Sequence, residues 1–408
     1  MTEQSDELKA ALRKERVYVL ILAAIQIVHI MDFVIMMPLG PRFMRVFNIT
    51  PGEFSALVSA YTFSAGCCGF VAALYADHFD RKKFLLFNFT GFILGTFLCA
   101  VSTNFTTLLT ARIVAGAFGG VLNATVLSLV ADLIPFERRG KAMGVVMSSF
   151  SVSSIVGIPI GLYIANHFDW HGTFYFICIV ALVFWVMGLI LLPSVKVRKE
   201  AKKFKDNLRN FKSILIQKNY LQAFTLTSAL SFGIFGIIPF ISPYLVKNVG
   251  FPEEELPLLY LIGGIFTIVT ARVVGVMTDK VGSFQVFRAL VFIAVIPILL
   301  LTNLPPSAMW VALVVSTLFT MFGSARFIPA MTLVSAVVKP EDRGTFMSLE
   351  NAGRQISSGI AAQLGGIIIG ATAAGELTNY NIVGIWAIAF SFIAVYIASK
   401  IKNKYNLR

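Results

Sequence analysis

Ala73-Leu-Tyr-Ala-Asp77-His-Phe-Asp80-Arg81-Lys82 closes one long apolar run, and Gly275-Val-Met-Thr-Asp279-Lys-Val-Gly282-Ser283 closes another. The two aspartates stand 202 residues apart. A second pair of loops, Pro135-Phe-Glu-Arg-Arg139-Gly140 and Pro340-Glu-Asp-Arg343-Gly344, recurs at nearly that interval, with 204 residues from Arg139 to Arg343. Two motifs repeated at one offset imply that the chain is built from two related halves. Around them the composition is that of a chain dissolved in lipid: 57% of the 408 residues are hydrophobic, 13% are charged, and the mean hydropathy is +0.80. Such values lie outside the range of water-soluble globular chains.

Apolar runs of about 18 to 25 residues, each able to cross a hydrocarbon core of about 30 Å as a helix, recur along the whole length. They predict twelve spans, near 17–38, 54–76, 84–101, 106–134, 141–165, 173–192, 221–246, 257–278, 285–302, 308–337, 346–370 and 382–399. The fold class expected is an all-α membrane protein of two six-helix bundles. Its parts are a polar N-terminal tail (1–16), a first bundle (17–192), a basic linker (193–220), a second bundle (221–399) and a C-terminal tail (400–408). The linker carries nine basic residues against Glu200 and Asp206. The tail before Val17 enters the first run without a small-residue cleavage site, so that run is expected to stay as a span.

An even number of spans places both termini on one side. The loops on that side hold nearly all the lysine and arginine outside the spans, whereas the opposite loops hold Arg42, Arg45 and Lys247. Positive charge beside a span resists translocation, so both termini are expected in the cytoplasm. The same topology accounts for the net charge of +13 without a nucleic-acid partner, because the charges do not form one basic face. Cys67, Cys68, Cys99 and Cys178 lie inside apolar runs with no CxxC or Cys/His spacing, and no metal or disulfide is expected.

With these residues the chain resembles the major facilitator superfamily along essentially its whole length, from Val17 to Ser399. That family's loop after the second span has the form G-x-L-x-D-x-x-G-R-K. Asp77, Arg81 and Lys82 match it, while Ala73 and Asp80 stand where it has glycines; the second copy keeps Gly275, Asp279 and Gly282 but has no arginine. The resemblance implies gating roles for Asp77, Arg81, Lys82, Asp279, Arg139 and Arg343, through contacts across the bundle interface that exist in one access state only. Within the family the chain looks most like the bacterial drug and sugar efflux proton antiporters. Arg112 is followed by Gly116, Gly119 and Gly120; Gly157-Ile-Pro159-Ile-Gly161 resembles the antiporter motif in its sugar-efflux form; and Asp169-Trp170-His171 through Phe174 resembles the entry to the sixth span, with histidine in the arginine position. The fold, a small-molecule substrate, protons as coupling ion, a monomer surrounded by membrane lipid and a place in the bacterial inner membrane follow as expectations, with no cofactor.

Ionisable residues inside a span cost at least about 2.5 kcal/mol each to insert and are candidates for function by default. Asp32 in the first span and Arg112 in the fourth lie at similar depth, about 9 Å from the end opposite the termini at 1.5 Å per residue. They are expected to pair and to face a central cavity. Burial and the neighbouring arginine pull a carboxylate's protonation in opposite directions, which suits exchange of a proton against substrate. A structural ion pair that pins two helices is the alternative. His29, three residues before Asp32 on the same face, is a candidate proton relay or a hydrogen-bonded core residue. In the second half Arg326 lies deep in the tenth span. Glu350 and Arg354 stand one turn apart in the eleventh, able to pair with each other or with Arg326, and Asn351 and Gln355 lie beside them. These five are the candidate substrate-binding residues; bracing of helices is the other reading.

No phosphate loop, nucleophile elbow or zinc-protease motif is present, which speaks against an enzyme and against an ATP-driven pump. The reading that remains is a secondary transporter working by alternating access, most simply a proton-coupled exporter of a sugar-like metabolite or drug-like compound. A facilitator or uptake symporter on the same fold, or a non-transporting sensor, would share most of these features.

Overall fold

The computed structural model describes residues 2–75, 78–195, 213–214, 216–339 and 343–401, with the side chains of 2–11, 136–137 and 343–344 outside that description. The long helical segments, in chain order, are Thr2–Ile35, Pro51–Tyr75, Arg81–Ala100 and Phe105–Leu133; a jointed helix from Phe136 to His167; Trp170–Leu191; a second jointed helix from Lys218 to Val249; Leu256–Val281; Ser283–Thr302; the pair Met309–Ala325 and Phe327–Val337; Arg343–Ile368; and Tyr380–Lys400. They are called spans 1 to 12 below.

Among the described residues eleven of these helices are long and apolar enough to cross a membrane. The expected span at 346–370 is present as the helix Arg343–Ile368, yet its composition falls short of that standard. The reason lies in its polar residues, Glu350, Asn351, Arg354, Gln355 and Gln363, which are buried or partly buried on a helix packed against spans 2 and 7. The all-α expectation also needs one small amendment, an antiparallel pair Gly370–Ala371 with Leu377–Thr378 in the loop before span 12.

Local chemistry sets several helix starts. At span 4, Asn104 Oδ1 accepts from the Thr107 amide at 2.9 Å while Thr107 Oγ1 accepts from the Asn104 amide at 3.2 Å, a reciprocal capping box. Thr50 and Glu53 do the same for span 2, and Asp169 accepts from the Trp170 amide at span 6. Proline and glycine shape the joints: span 5 contains a π turn, Ser153–Gly157, just before Pro159; span 7 breaks at Pro239 and Pro243; span 10 breaks at Arg326, three residues before Pro329.

Each half of the chain packs chiefly on itself, spans 1 to 6 together and spans 7 to 12 together. The halves meet along two seams, span 2 on span 11 and span 5 on span 8. The first seam is close because glycines line it: a Cβ on Gly66 would lie 2.9 Å from the Ala352 carbonyl oxygen, and one on Gly366 would lie 2.9 Å from that of Pro51. Ser59 donates across it to Gln363 at 2.9 Å. The second seam is formed by the π turn of span 5 and the half of the span beyond it, and Gly264 of span 8 lies against Ile155 of the turn. Toward the end that carries the chain termini these two helices part, and Gly144 and Gly275 have open space before them.

Candidate transport site

Spans 1, 2, 3 and 4 enclose the first cluster. Arg112 Nη1 meets Asp32 Oδ2 at 2.8 Å, and both side chains are fully buried. Thr96 donates to the other carboxylate oxygen at 3.1 Å. The guanidinium lies over the Tyr61 ring, 4.3 Å from its centre, so the arginine has a carboxylate on one side and an aromatic face on another. The sequence brought Asp32 and Arg112 to the same depth, and the structure brings them into contact. The cavity-facing position expected for them differs from what is found, because packing from spans 2 and 3 encloses both. Tyr61 and Thr96 carried no sequence signal, since one aromatic and one threonine in apolar runs look like ordinary packing residues.

His29 lies one turn from Asp32 and is also buried, between Phe92, at 5.8 Å ring to ring, and Tyr61. Neither of its ring nitrogens has a hydrogen-bond partner, and the Tyr61 hydroxyl and Arg112 Nη2 have none either. Gly119 makes room for them: a Cβ there would lie 3.2 Å from His29 Nε2 and would overlap the Tyr61 hydroxyl. Gln26, a further turn along span 1, donates to Asn123 of span 4 at 3.0 Å. A stripe of polar groups thus runs along the contact of spans 1 and 4, with the acid at one end and uncommitted donors and acceptors in the middle.

The second half is arranged differently. Arg326 is fully buried, donates from Nη1 to Ser391 Oγ of span 12 at 2.7 Å and from Nε to the Gly323 carbonyl at 3.2 Å. Of the two pairings open to Glu350, with Arg354 or with Arg326, the second is not made; span 10 breaks at Arg326 and the guanidinium turns toward span 12. Glu350, itself buried, lies 3.4 Å from Arg354 Nε, and Arg354 Nη2 donates to Asn351 at 3.0 Å. Gln355 is half-buried on the same helix. The five candidate binding residues therefore form two groups and not one.

Of the residues given gating roles, Arg81 pairs with Asp132 at 3.5 Å, a contact inside the first half where one across the interface was expected. Arg139 donates to the Ile134 carbonyl at 3.5 Å; Asp279 is exposed and Lys82 partly so. Asp77 and the side chain of Arg343 lie outside the described residues. Gly157 and Gly161 lay span 5 against Met31 and Ile35 of span 1, with Pro159 between them at the end of the π turn. On the face opposite the termini the halves are tied by side chains the sequence did not single out: Arg45 clasps Glu253 through two bonds of 3.0 and 3.3 Å, Arg42 approaches the same carboxylate at 3.4 Å, and Asn166 donates to the Glu254 carbonyl at 3.5 Å. The clasp pushes the Arg45 guanidinium further above its ordinary range.

A duplicated helical body with an enclosed ion pair between its spans, sealed at one face and parted at the other along one seam, is the form of a secondary transporter. Residues 22–362 match the model of the Major Facilitator Superfamily, and the chain belongs to that family. It is 22% identical over 372 residues to Multidrug resistance protein 2 of Bacillus subtilis (strain 168), covering 88% of this chain and 91% of that one. It is also 22% identical over 344 residues to the MFS-type transporter YceJ of the same organism, covering 84% and 86%. Among solved structures it is similar to the D-xylose–proton symporter, with a TM-score of 0.72 at 15% identity over 93% of this chain and 96% of that one. An inward-facing, occupied bacterial homologue of the human lysosomal transporter Spinster has a TM-score of 0.70 at 15% identity over 95% and 96%. The protein is a multi-pass membrane transporter and not an enzyme.

Proposed function

We propose that this transporter exports a small organic solute, sugar-like or drug-like, in exchange for protons, working as a monomer in a bacterial inner membrane with both termini in the cytoplasm and with the halves 17–192 and 221–399 joined by 193–220. The observation that carries the reading is the enclosed Asp32, held by Arg112 and Thr96 and flanked by the uncommitted His29 and Tyr61. A carboxylate shut away from water stays ionised only while its cation stays in place, since removing either partner of a buried pair costs about 3–5 kcal/mol. Any motion of span 4 against span 1 that lengthens the 2.8 Å contact therefore favours proton uptake by Asp32, and the return motion favours release. His29 and Tyr61 supply groups through which a proton could reach the acid. The clasped face opposite the termini and the parting of spans 5 and 8 at the other end support a state open to the cytoplasm, in which an exporter takes up its cargo.

Inside-out vesicles carrying the protein and a proton gradient test this. A panel of sugars, amino acids, aromatic antibiotics and lipophilic cations is added to wild type and Asp32→Asn. One or more compounds should collapse the gradient in wild type and leave it intact in the variant. If no compound moves protons while a radiolabelled solute still equilibrates, the exchange reading fails and a facilitator takes its place.

A further inference from the structure

Two arginines in the described part of the protein are fully buried, Arg112 and Arg326. The first has Asp32 at 2.8 Å. The second has a serine hydroxyl and a backbone carbonyl, its Nη2 has no partner, and no carboxylate among the described residues lies within ion-pair distance. Ser391 is itself committed, donating to the Ala387 carbonyl at 2.6 Å, so it accepts from Arg326 without offering a charge. A guanidinium enclosed without a counter-charge is among the costliest arrangements a protein interior can hold, because neither water nor an anion balances it. Arginine does not escape that cost by losing its proton.

The backbone does not supply the missing charge. Span 10 is kinked at Arg326, which is at once the C-cap of Met309–Ala325 and the N-cap of the eleven-residue helix Phe327–Val337, with Pro329 in the following turn. The partial charges of two abutting helix ends oppose each other, so the positive charge of this joint is that of the guanidinium. Guanidinium and joint stand together. Spans 7, 10 and 12 close around them: a Cβ on Gly323 would touch Ile234 at 3.1 Å, and one on Gly233 would lie 3.1 Å from the Ala387 carbonyl oxygen. Glu350, the nearest candidate acid by sequence, is taken by Arg354.

We propose that the joint of span 10 binds a small monovalent anion, either a carboxylate group of the cargo or a halide, against the Arg326 guanidinium. An anion there would supply the missing charge and the missing acceptor for Nη2. The site is independent of Asp32 and of the direction of transport.

Thermal unfolding of the purified full-length protein in detergent tests the site without any gradient, so the result stands apart from the export reading. Sodium acetate and sodium chloride are compared with sodium MES, a bulky sulfonate, at equal ionic strength. Acetate or chloride should raise the Tm of wild type by a few degrees in a saturable manner. Arg326→Gln should abolish that rise, and Arg326→Lys, which keeps the charge but not the planar fork, should keep it at a several-fold higher half-saturating concentration. A response to acetate alone assigns the site to a cargo carboxylate, a response to chloride alone to a halide, and either supports it. Equal unfolding of wild type in all three salts overturns the proposal, as does an Arg326→Gln protein with the wild-type response. Should Arg326→Gln not fold, the lysine variant decides, and a half-saturating concentration unchanged from wild type counts against the site.

Discussion

Gly119 shows how a residue with no chemistry of its own governs a reactive cluster. Any side chain there would occupy the volume of the Tyr61 hydroxyl and press on His29, and Tyr61 is the ring on which Arg112 rests. Gly119→Ala is expected to leave the protein folded, at a cost of about 1–3 kcal/mol for overpacking, while shifting Tyr61 and lowering the proposed proton-coupled transport at least several-fold. Gradient collapse in vesicles together with a Tm measurement separates the two effects; unchanged transport would show that the position of Tyr61 is immaterial. Asp32 and Arg326 are the complementary cases. In one the buried charge is matched within the chain, and in the other it is matched by nothing described, so neutralising Arg326 should abolish the response to added anion, whereas neutralising Asp32 should leave that response at Arg326 in place.

Helices meet here on terms set by their smallest residues. Spans 2 and 11 touch through Gly66, Gly359 and Gly366, where a Cβ would fall against Ala352, Thr62 and Pro51, and the Ser59–Gln363 bond crosses the same seam. Dispersion between closely apposed backbones is the main attraction available in lipid, where apolar burial gains little. Gly66→Val should therefore weaken the association of the halves, and because the obstacle is backbone it cannot be relieved by a rotamer change. A Tm lowered by several degrees is expected, whereas the same change at Gly275, which faces open space, should lower it little. The polar composition of span 11 follows from the same geometry: the helix packs on spans 2 and 7, Glu350 is buried, and Arg354, about a third exposed, pairs with it.

The whole molecule is held in its present state by a modest lock. Arg45 is half exposed and Glu253 about a fifth exposed, and ion pairs of that kind contribute about 0–1 kcal/mol. Arg42 also donates to the carbonyl of Ala165 and to the side-chain oxygen Oδ1 of Asn166, which ties the segment before span 2 to the end of span 5. A lock of this size would bias an equilibrium between access states without freezing it, as the proposed exchange by alternating access demands. Glu253→Gln should raise the population open on the face opposite the termini by a factor of up to about five. Spin labels at Asn48 and Glu255 would report that as added weight at longer distance; an unaltered distance distribution would mean that the glycine seam alone keeps this face shut.

The architecture was legible because lipid leaves so few solutions. Backbone groups without water must be paired within a helix, so each apolar run was committed to one, and two loops repeated at one interval exposed the duplication. Asp32 and Arg112 were legible for a related reason, since charge within a span is costly enough to stand out. Spacing along a helix gives depth but not rotation or neighbours. It could not show that span 10 breaks at Arg326 and turns the side chain toward Ser391, that Tyr61 and Thr96 complete the cluster around Asp32, or that Arg45 and Glu253, 208 residues apart, share a bond. The sequence by itself determined that the chain is a series of membrane-length apolar helices and where along each helix its charges lie, because those follow from transfer free energies read one helix at a time. Only the tertiary structure decided which charges are paired, because pairing depends on how helices rotate and pack against one another, and no single helix carries that information.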